Sequence, residues 1–215
     1  RLRLFRMEEN LKQLPTGAKR IIKIALFGPE STGKTTLAKQ LAEYYKTDWV
    51  PEFARDYLQE KWDKQQAICD VNDMLPIAYG QTQLENKKTA TANQYLFCDT
   101  NLMVTKVFSE VYYNHCEPAL DEAAREHEYD LFFLTDIDVP WEKDDLRDKP
   151  EGRETVFSVF KQSLIDNHKP FITLSGDKKL RLQKAISIID DLTVALQKGQ
   201  SSLEFVQMYL KGISK

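Results

Sequence analysis

Eight consecutive residues carry the strongest chemical signal in the chain. Residues 28–35 read Gly-Pro-Glu-Ser-Thr-Gly-Lys-Thr and match the pattern G-x-x-x-x-G-K-[ST]. In such a loop, glycines let backbone N–H groups close around phosphate oxygens. The lysine, here Lys34, reaches the β- and γ-phosphates, and the hydroxyl, here Thr35, ligates Mg²⁺. We therefore expect ATP and Mg²⁺ as cofactors, with ATP contacted by Gly28, Glu30, Ser31, Thr32, Gly33, Lys34, Thr35 and Thr36.

The segments on either side of this loop have the structure that it requires. Residues 21–27 form a short apolar run, which predicts a buried strand. Residues 36–45 place apolar side chains at helical spacing. The helix N-terminus adds the positive end of its dipole to the phosphate site. The alternative, a glycine turn before an ordinary helix, is disfavoured because motif and context agree.

Short apolar runs alternate with helical patterns along the chain, which is typical of an α/β fold. Five strands are predicted, at residues 21–27, 48–50, 95–99, 130–135 and 170–175. We expect a P-loop NTPase with a five-stranded parallel sheet flanked by helices, kinase-like with a short lid. Ligands of such sheets bind beyond the carboxyl ends of the strands. Each predicted strand ends in polar or charged residues, so these ends are expected to form the site.

The chain divides into three predicted parts. Residues 1–20 form an N-terminal extension, residues 21–198 the P-loop kinase domain, and residues 199–215 a C-terminal helix that is a candidate docking helix. Within the domain, residues 61–93 form a mostly helical excursion on the substrate side, and residues 139–154 form the lid. A solvated loop is the alternative for the lid segment, which is rich in both acids and bases.

An acid at the tip of the third strand is the candidate second element of the magnesium site. Asp99 follows the apolar run Tyr-Leu-Phe-Cys, where P-loop enzymes place the acid that organises Mg²⁺ directly or through water. The alternative for Asp99 is an N-cap of the next helix, a role that Thr100 or Asn101 fills equally well. We expect Thr35 and Asp99 to hold the metal.

The end of the second strand supplies candidates for acting on an acceptor hydroxyl. Glu52 is placed to take its proton as general base, with Asp56 and Asp99 as rivals. Arg55 is a candidate for holding the acceptor or a phosphoryl oxygen. The alternative is that Glu52 and Arg55 are surface residues spaced i, i+3 on a helix.

Further candidates lie in the lid and in the helical excursion. Arg147 and Arg153 are expected to stabilise charge on the transferring group or on ATP when the lid closes. Gln81 is a candidate for hydrogen bonding to an acceptor base, although a helical glutamine is more often solvated.

Composition excludes several classes of function. The net charge of −3 argues against a nucleic-acid binder, and no apolar run approaches the roughly 20 residues of a membrane span. Three cysteines, none in C-x-x-C spacing, indicate reduced thiols and a cytoplasmic location. The histidines show no metal-ligand spacing. The expected partners are ATP and a nucleoside-type acceptor, and the oligomeric state stays open.

Four segments together resemble the ribosylnicotinamide kinase module of a multifunctional bacterial NAD-metabolism protein. The resemblance runs from about residue 21 to residue 192 and rests on residues 28–35, 50–57, 97–101 and 134–141. It implies transfer of the ATP γ-phosphate to the 5′-hydroxyl of nicotinamide riboside, which gives nicotinamide mononucleotide. Trp141 is then a candidate for stacking on a ring, with a hydrophobic lid anchor as the alternative.

The chain also departs from that resemblance. No H-x-G-H nucleotidyl motif occurs, so the resemblance supports neither adenylyl transfer nor DNA binding. A kinase for another nucleoside or small alcohol, and a regulatory ATPase with water as acceptor, remain alternatives. A pure binding module is disfavoured by the intact set of Lys34, Thr35 and Asp99.

Overall fold

The computed structural model describes residues 9–16, 20–140 and 152–213. Its centre is a parallel five-stranded sheet of order β2-β3-β1-β4-β5, so the expected fold class is confirmed. The strands lie within one residue of the predicted bounds: β1 Ile22–Phe27, β2 Trp49–Val50, β3 Tyr95–Asp99, β4 Leu131–Thr135 and β5 Phe171–Leu174.

The three middle strands are buried along their whole length. Helices cover both faces of the sheet, which explains why these strands are continuous apolar runs. Alternate residues face two separate cores. In β1, for example, Ala25 and Phe27 belong to one core and Ile24 and Leu26 to the other.

Helices connect the strands. They are α1 Lys34–Tyr44, α2 Phe53–Gln65, a 3₁₀ turn Val71–Asp73, α3 Met74–Thr91, α4 Leu102–Tyr113, α5 Pro118–Glu126, α6 Arg153–Asp166, α7 Lys178–Gln197 and α8 Ser202–Ile213. The excursion between β2 and β3 is therefore mostly helical, as expected. Most of the predicted lid, residues 141–151, lies outside the described residues.

The C-terminal helix α8 is partly used by the chain's own core. Phe205 and Val206 are buried, and Tyr209 packs against the same core. Leu203, Met208 and Leu210 are exposed. The apolar face predicted for docking is thus divided, with Val206 and Tyr209 turned inward.

A buried ion pair lies at the end of the sheet where the strands begin. The Lys23 ammonium is 3.1 Å from a Glu85 carboxylate oxygen, and both side chains are buried. Glu85 also accepts hydrogen bonds from Gln13 and, at 2.5 Å, from the Tyr129 hydroxyl. Residues 9–16 pack here, with Leu11 buried and its carbonyl oxygen 2.6 Å from the His127 ring. The His127 ring therefore helps to hold residues 9–16 in place.

Among the described residues, no helix combines the length and the apolar character that crossing a membrane requires.

Candidate functional site

The predicted phosphate loop joins β1 to α1 in a closed conformation. Gly33 has φ 83°, a left-handed conformation suited to glycine, and α1 begins at Lys34. The Lys34 ammonium donates to the Pro29 carbonyl oxygen at 2.6 Å, across the loop. The Thr32 hydroxyl donates to the same oxygen at 2.8 Å. The loop is therefore held in shape by its own side chains, with the helix N-terminus behind it.

Gly28 lies close to the end of β4. Its Cβ, if present, would lie 2.8 Å from the Thr135 hydroxyl oxygen and 3.0 Å from the Thr135 carbonyl oxygen. The Thr32 hydroxyl is also 2.6 Å from that of Thr135. Gly28 therefore lets the loop approach the end of β4, and it does not line the cavity above the loop.

The predicted magnesium residues meet. The Thr35 hydroxyl donates to Asp99 Oδ2 at 2.5 Å. Asp99 Oδ1 is buried without a hydrogen-bond partner, which leaves one oxygen available to a cation or its water. Hard oxygen donors of this kind fit Mg²⁺, which binds through few protein ligands with phosphate and water completing the shell. Asn101, and not Asp99, caps α4, since its side chain accepts from the Val104 N–H.

Asp99 lies in a strongly perturbed electrostatic environment. Burial raises the pKa of Asp99 to about 6, and the negative charge of Glu52 adds to the rise. Lys34 and the hydrogen bond from Thr35 act in the opposite direction. A buried carboxyl with this pKa beside a phosphate loop is typical of a functional position.

Two adjoining cavities open above the sheet. The larger, about 370 Å³, lies over the phosphate loop, and its lining includes Lys34, Thr35 and Thr36. The smaller, about 190 Å³, lies between α2, α3 and α4. Its walls are mostly apolar and aromatic: Trp62, Met74, Ile77, Phe108, Tyr112 and Tyr113. Both cavities are lined by Glu30, Glu52, Ala54, Leu58 and Phe108. A ligand in one cavity is therefore next to a ligand in the other, with Glu52 between them.

Glu52 is held at this junction by Gln81. The Gln81 side-chain oxygen accepts from the Phe53 N–H at 2.8 Å, and its amide nitrogen donates to the Pro51 carbonyl oxygen at 3.2 Å. These bonds flank Glu52 in sequence and fix the start of α2. Gln81 is buried and also lines the smaller cavity, so it positions the start of α2 at the wall where a contact with an acceptor base is expected.

The other two acceptor-side candidates, Arg55 and Asp56, lie in different places. Arg55 lines the larger cavity and is near enough to lower the pKa of Asp99. Asp56 is exposed in the first turn of α2 and lines neither cavity. The structure therefore brings Lys34, Thr35, Glu52, Arg55 and Asp99 together and leaves Asp56 outside.

The lid candidates are only partly described. Trp141 and Arg147 lie outside the described residues. Arg153 begins α6 and donates to the Val139 carbonyl oxygen at 3.0 Å and to that of Ser31 at 3.4 Å. The Arg153 side chain thus contacts the backbone of the phosphate loop at Ser31.

Sequence reasoning missed Arg181 and the aromatic cavity. Arg181 lines the larger cavity and donates to the Thr32 carbonyl oxygen at 2.6 Å. Its only sequence signal was a position just beyond the fifth strand end, Gly176-Asp177. The aromatic walls come from three helices, and helical periodicity does not show which helices face each other.

Comparison with known proteins places this site in a family. A family model described as an AAA domain matches residues 23–181. The trifunctional NAD biosynthesis/regulator protein NadR of Salmonella typhimurium (strain LT2) is 26% identical over 172 residues, which are 79% of this chain and 42% of that protein. The chain thus spans about two fifths of the length of this curated relative.

Solved structures share the fold. The crystal structure of NadR protein in complex with NR matches with a TM-score of 0.66 at 22% identity, over 78% of this chain and 49% of that one. Thymidylate kinase from Ehrlichia chaffeensis matches with a TM-score of 0.55 at 16% identity, over 80% of this chain and 99% of that one. The resemblance predicted from the four sequence segments is confirmed by the similarity to NadR. Since the family model covers most of the chain, the protein belongs to the AAA domain family.

Proposed function

We propose that the protein is a Mg·ATP-dependent kinase that phosphorylates the 5′-hydroxyl of nicotinamide riboside and releases nicotinamide mononucleotide and ADP. The observation that carries this proposal is the pair of cavities that meet at Glu52. The larger has a phosphate loop at its base, and the smaller has the aromatic walls that suit a flat ring. The similarity to NadR, whose structure holds NR, supports nicotinamide riboside as the acceptor.

The proposed mechanism gives each of these residues a role. Lys34 and the N-terminus of α1 bind the β- and γ-phosphates. Thr35 and Asp99 would hold Mg²⁺, which would supply positive charge to neutralise the phosphate oxygens. Glu52 accepts the proton of the 5′-hydroxyl while the hydroxyl oxygen forms a bond to the γ-phosphorus. The bond from that phosphorus to the bridging oxygen breaks, and ADP leaves with this oxygen. Arg55 stabilises charge on the transferring group.

The test is ADP release from Mg·ATP with and without nicotinamide riboside, beside a panel of other nucleosides. We expect strong stimulation by nicotinamide riboside. Stimulation by a different nucleoside alone would keep the kinase mechanism and replace the acceptor. Turnover indifferent to every acceptor would favour the regulatory ATPase.

Glu52→Gln tests the base. It should lower turnover by about 10²–10⁴-fold while ATP affinity changes little, because general-base catalysis acts on the acceptor step. Glu60→Gln is the matched control, since Glu60 lies on the same helix and is exposed, and it pairs with the exposed Lys64. Equal turnover in the two variants would remove Glu52 from the mechanism.

A further inference from the structure

Arg181 is buried at a point where three loops meet. It lies near the start of α7, and its side chain is 4% exposed. The loops are the phosphate loop, the segment after β4 and the segment after β5. An arginine is costly to bury unless its N–H groups are satisfied, so its hydrogen bonds indicate why it is here.

The guanidinium bonds to all three loops. Nη1 donates to the Thr32 carbonyl oxygen in the phosphate loop at 2.6 Å. Nε donates to the Gly176 carbonyl oxygen after β5 at 2.8 Å. Nη2 donates to the Asp136 carbonyl oxygen after β4 at 3.0 Å and also to the Asp138 carboxylate. The side chain therefore fixes the distance between the phosphate loop and the other two loops.

Asp138 completes this junction. One carboxylate oxygen of Asp138 accepts a hydrogen bond from Arg181 Nη2, and the other accepts one from the Gly176 N–H at 2.5 Å. Burial alone would raise the pKa of Asp138, but the Gly176 N–H and the Arg181 guanidinium lower it below its ordinary value. Asp138 thus stays ionised and ties the loops after β4 and β5 to each other as well as to Arg181.

All three joined loops line the larger cavity. The phosphate loop contributes residues 30–33, and the segments after β4 and β5 contribute Val139, Pro140, Asp177 and Lys178. The side toward Glu52 is shared with the smaller cavity and is the acceptor side. If phosphates occupy the loop and the acceptor lies toward Glu52, the part of the cavity left for the base of the nucleotide is the part lined by Val139 and Asp177.

We propose that Arg181, with Asp138, is a positioning residue that sets the distance between the base end and the phosphate end of the nucleotide cavity. A ligand that spans both ends then fits the cavity and binds more tightly. A ligand that occupies only the phosphate end has nearly the same affinity with or without the arrangement. This inference rests on the proposed binding of ATP in that cavity. Lysine does not replace this arginine, because a single ammonium lacks the fork that reaches three loops.

The experiment is calorimetric titration of the whole chain with Mg·ATP and with Mg·tripolyphosphate, which lacks base and ribose. Arg181→Met and Arg181→Lys should each weaken ATP binding by about tenfold or more, the scale of a lost charged hydrogen bond. Both should weaken tripolyphosphate binding by less than about threefold. Arg125→Met is the control for loss of a positive charge, since Arg125 is exposed and pairs with Asp121 on its own helix.

Several results would overturn the inference. Equal losses for both ligands would mean that Arg181 acts on the phosphates themselves. Wild-type ATP affinity in Arg181→Lys would mean that the positive charge is sufficient and that the hydrogen bonds to three loops are not needed. A lower melting temperature with unchanged affinity for both ligands would leave only a structural role.

A second variant covers the case in which Arg181 variants do not fold. Asp138 is about one third exposed, so Asp138→Ala is better tolerated. It should weaken ATP binding more than tripolyphosphate binding, and an unchanged ratio would contradict the inference. If the wild-type chain binds neither ligand, the proposed function is contradicted as well. If the wild-type chain binds ATP and the variants bind it equally tightly, this inference alone is contradicted.

Discussion

Asp99 shows how one residue can be tuned for function at a cost in stability. Because burial raises its pKa to about 6, the carboxyl is protonated in acid and is then a poor magnesium ligand. We expect turnover to fall as the pH drops below about 6 and to level off above it. A pH profile at saturating Mg·ATP and acceptor measures this. A profile that stays flat from pH 7 to pH 5 would contradict the assignment.

Asp99 should also affect folding, with the opposite sign. A raised carboxyl pKa means that the folded state binds the proton more tightly than the unfolded chain, so stability declines as pH rises from about 3.8 to about 6. Above that range the penalty is fully present. Asp99→Asn should therefore abolish turnover yet raise the free energy of unfolding at pH 8 by about 1–3 kcal/mol. Urea titrations at pH 8 and pH 4 test it, and a gain of the same size at pH 4 would point to another cause.

Gln81 gives a second prediction for a single residue. Gln81→Met removes the acceptor of the Phe53 N–H and the donor to Pro51, so the start of α2 loses its fixed position. Turnover should fall by about 10²-fold through displacement of Glu52, with ATP affinity nearly unchanged. Steady-state kinetics with direct ATP titration separates the two effects. Loss of ATP affinity without loss of turnover would be inconsistent with this role.

At this scale the sequence predicted what is contiguous and missed what is distant. Lys34 and Thr35 stood out through the phosphate-loop motif, and Asp99 stood out because it ends an apolar strand. Arg181 did not, because its partner Thr32 is 149 positions away and is contacted through a backbone carbonyl, which any residue type supplies. Gln81 was predicted to contact an acceptor base, but its bonds to the backbone of Phe53 and Pro51 were not foreseen, because these partners lie 28 and 30 positions away.

Among the elements, the contact of α2 with α3 shapes the acceptor side. A Cβ on Gly80 would overlap the Phe53 ring, so the two helices meet where glycine allows close approach. Gly80→Ala should separate them, raise the acceptor KM and destabilise the fold by about 1–3 kcal/mol, with ATP affinity retained. Kinetics and thermal melting test this prediction together.

Gly212→Ala is the matched control. This glycine lies in α8 with nothing near its Cβ position, so the change should raise stability by about 0.5–1 kcal/mol and leave kinetics untouched. If Gly80→Ala behaved like Gly212→Ala, the close contact would have no bearing on the acceptor cavity.

The strands were largely predictable, because buried parallel strands are continuous apolar runs. The contacts between the helices were not. The smaller cavity depends on which faces of α2, α3 and α4 meet, and that follows from shape complementarity between side chains far apart in sequence. The C-terminal helix illustrates the same limit, since Val206 and Tyr209 turned out to face the chain's own core.

At the scale of the whole molecule, the two ends of the sheet differ in the groups that they carry. The strand ends carry the site, and the strand beginnings carry the buried pair of Lys23 and Glu85. Glu85→Leu leaves a buried ammonium unpaired and should cost about 3–5 kcal/mol of stability. Turnover measured well below the melting temperature should be unchanged, because the pair lies at the far end of β1 from the phosphate loop.

A double variant sharpens this test. Lys23→Met with Glu85→Leu removes both charges and should recover most of the lost stability, as replacement of buried pairs by apolar residues often does. Chemical denaturation of the two single variants and the double variant completes the cycle. Strict additivity of the two losses would show that the residues do not interact.

The strand order has a consequence for how the protein is made. β1 pairs with β3 and β4, and Gly28 and Thr32 of the phosphate loop rest against Thr135 at the end of β4. The loop is therefore synthesised before β4 but acquires its shape only after residue 135 has been added, a delay of roughly 5–20 s at ordinary elongation rates. Until then the nascent chain has no formed nucleotide site, so ATP can stabilise only the last stage of folding.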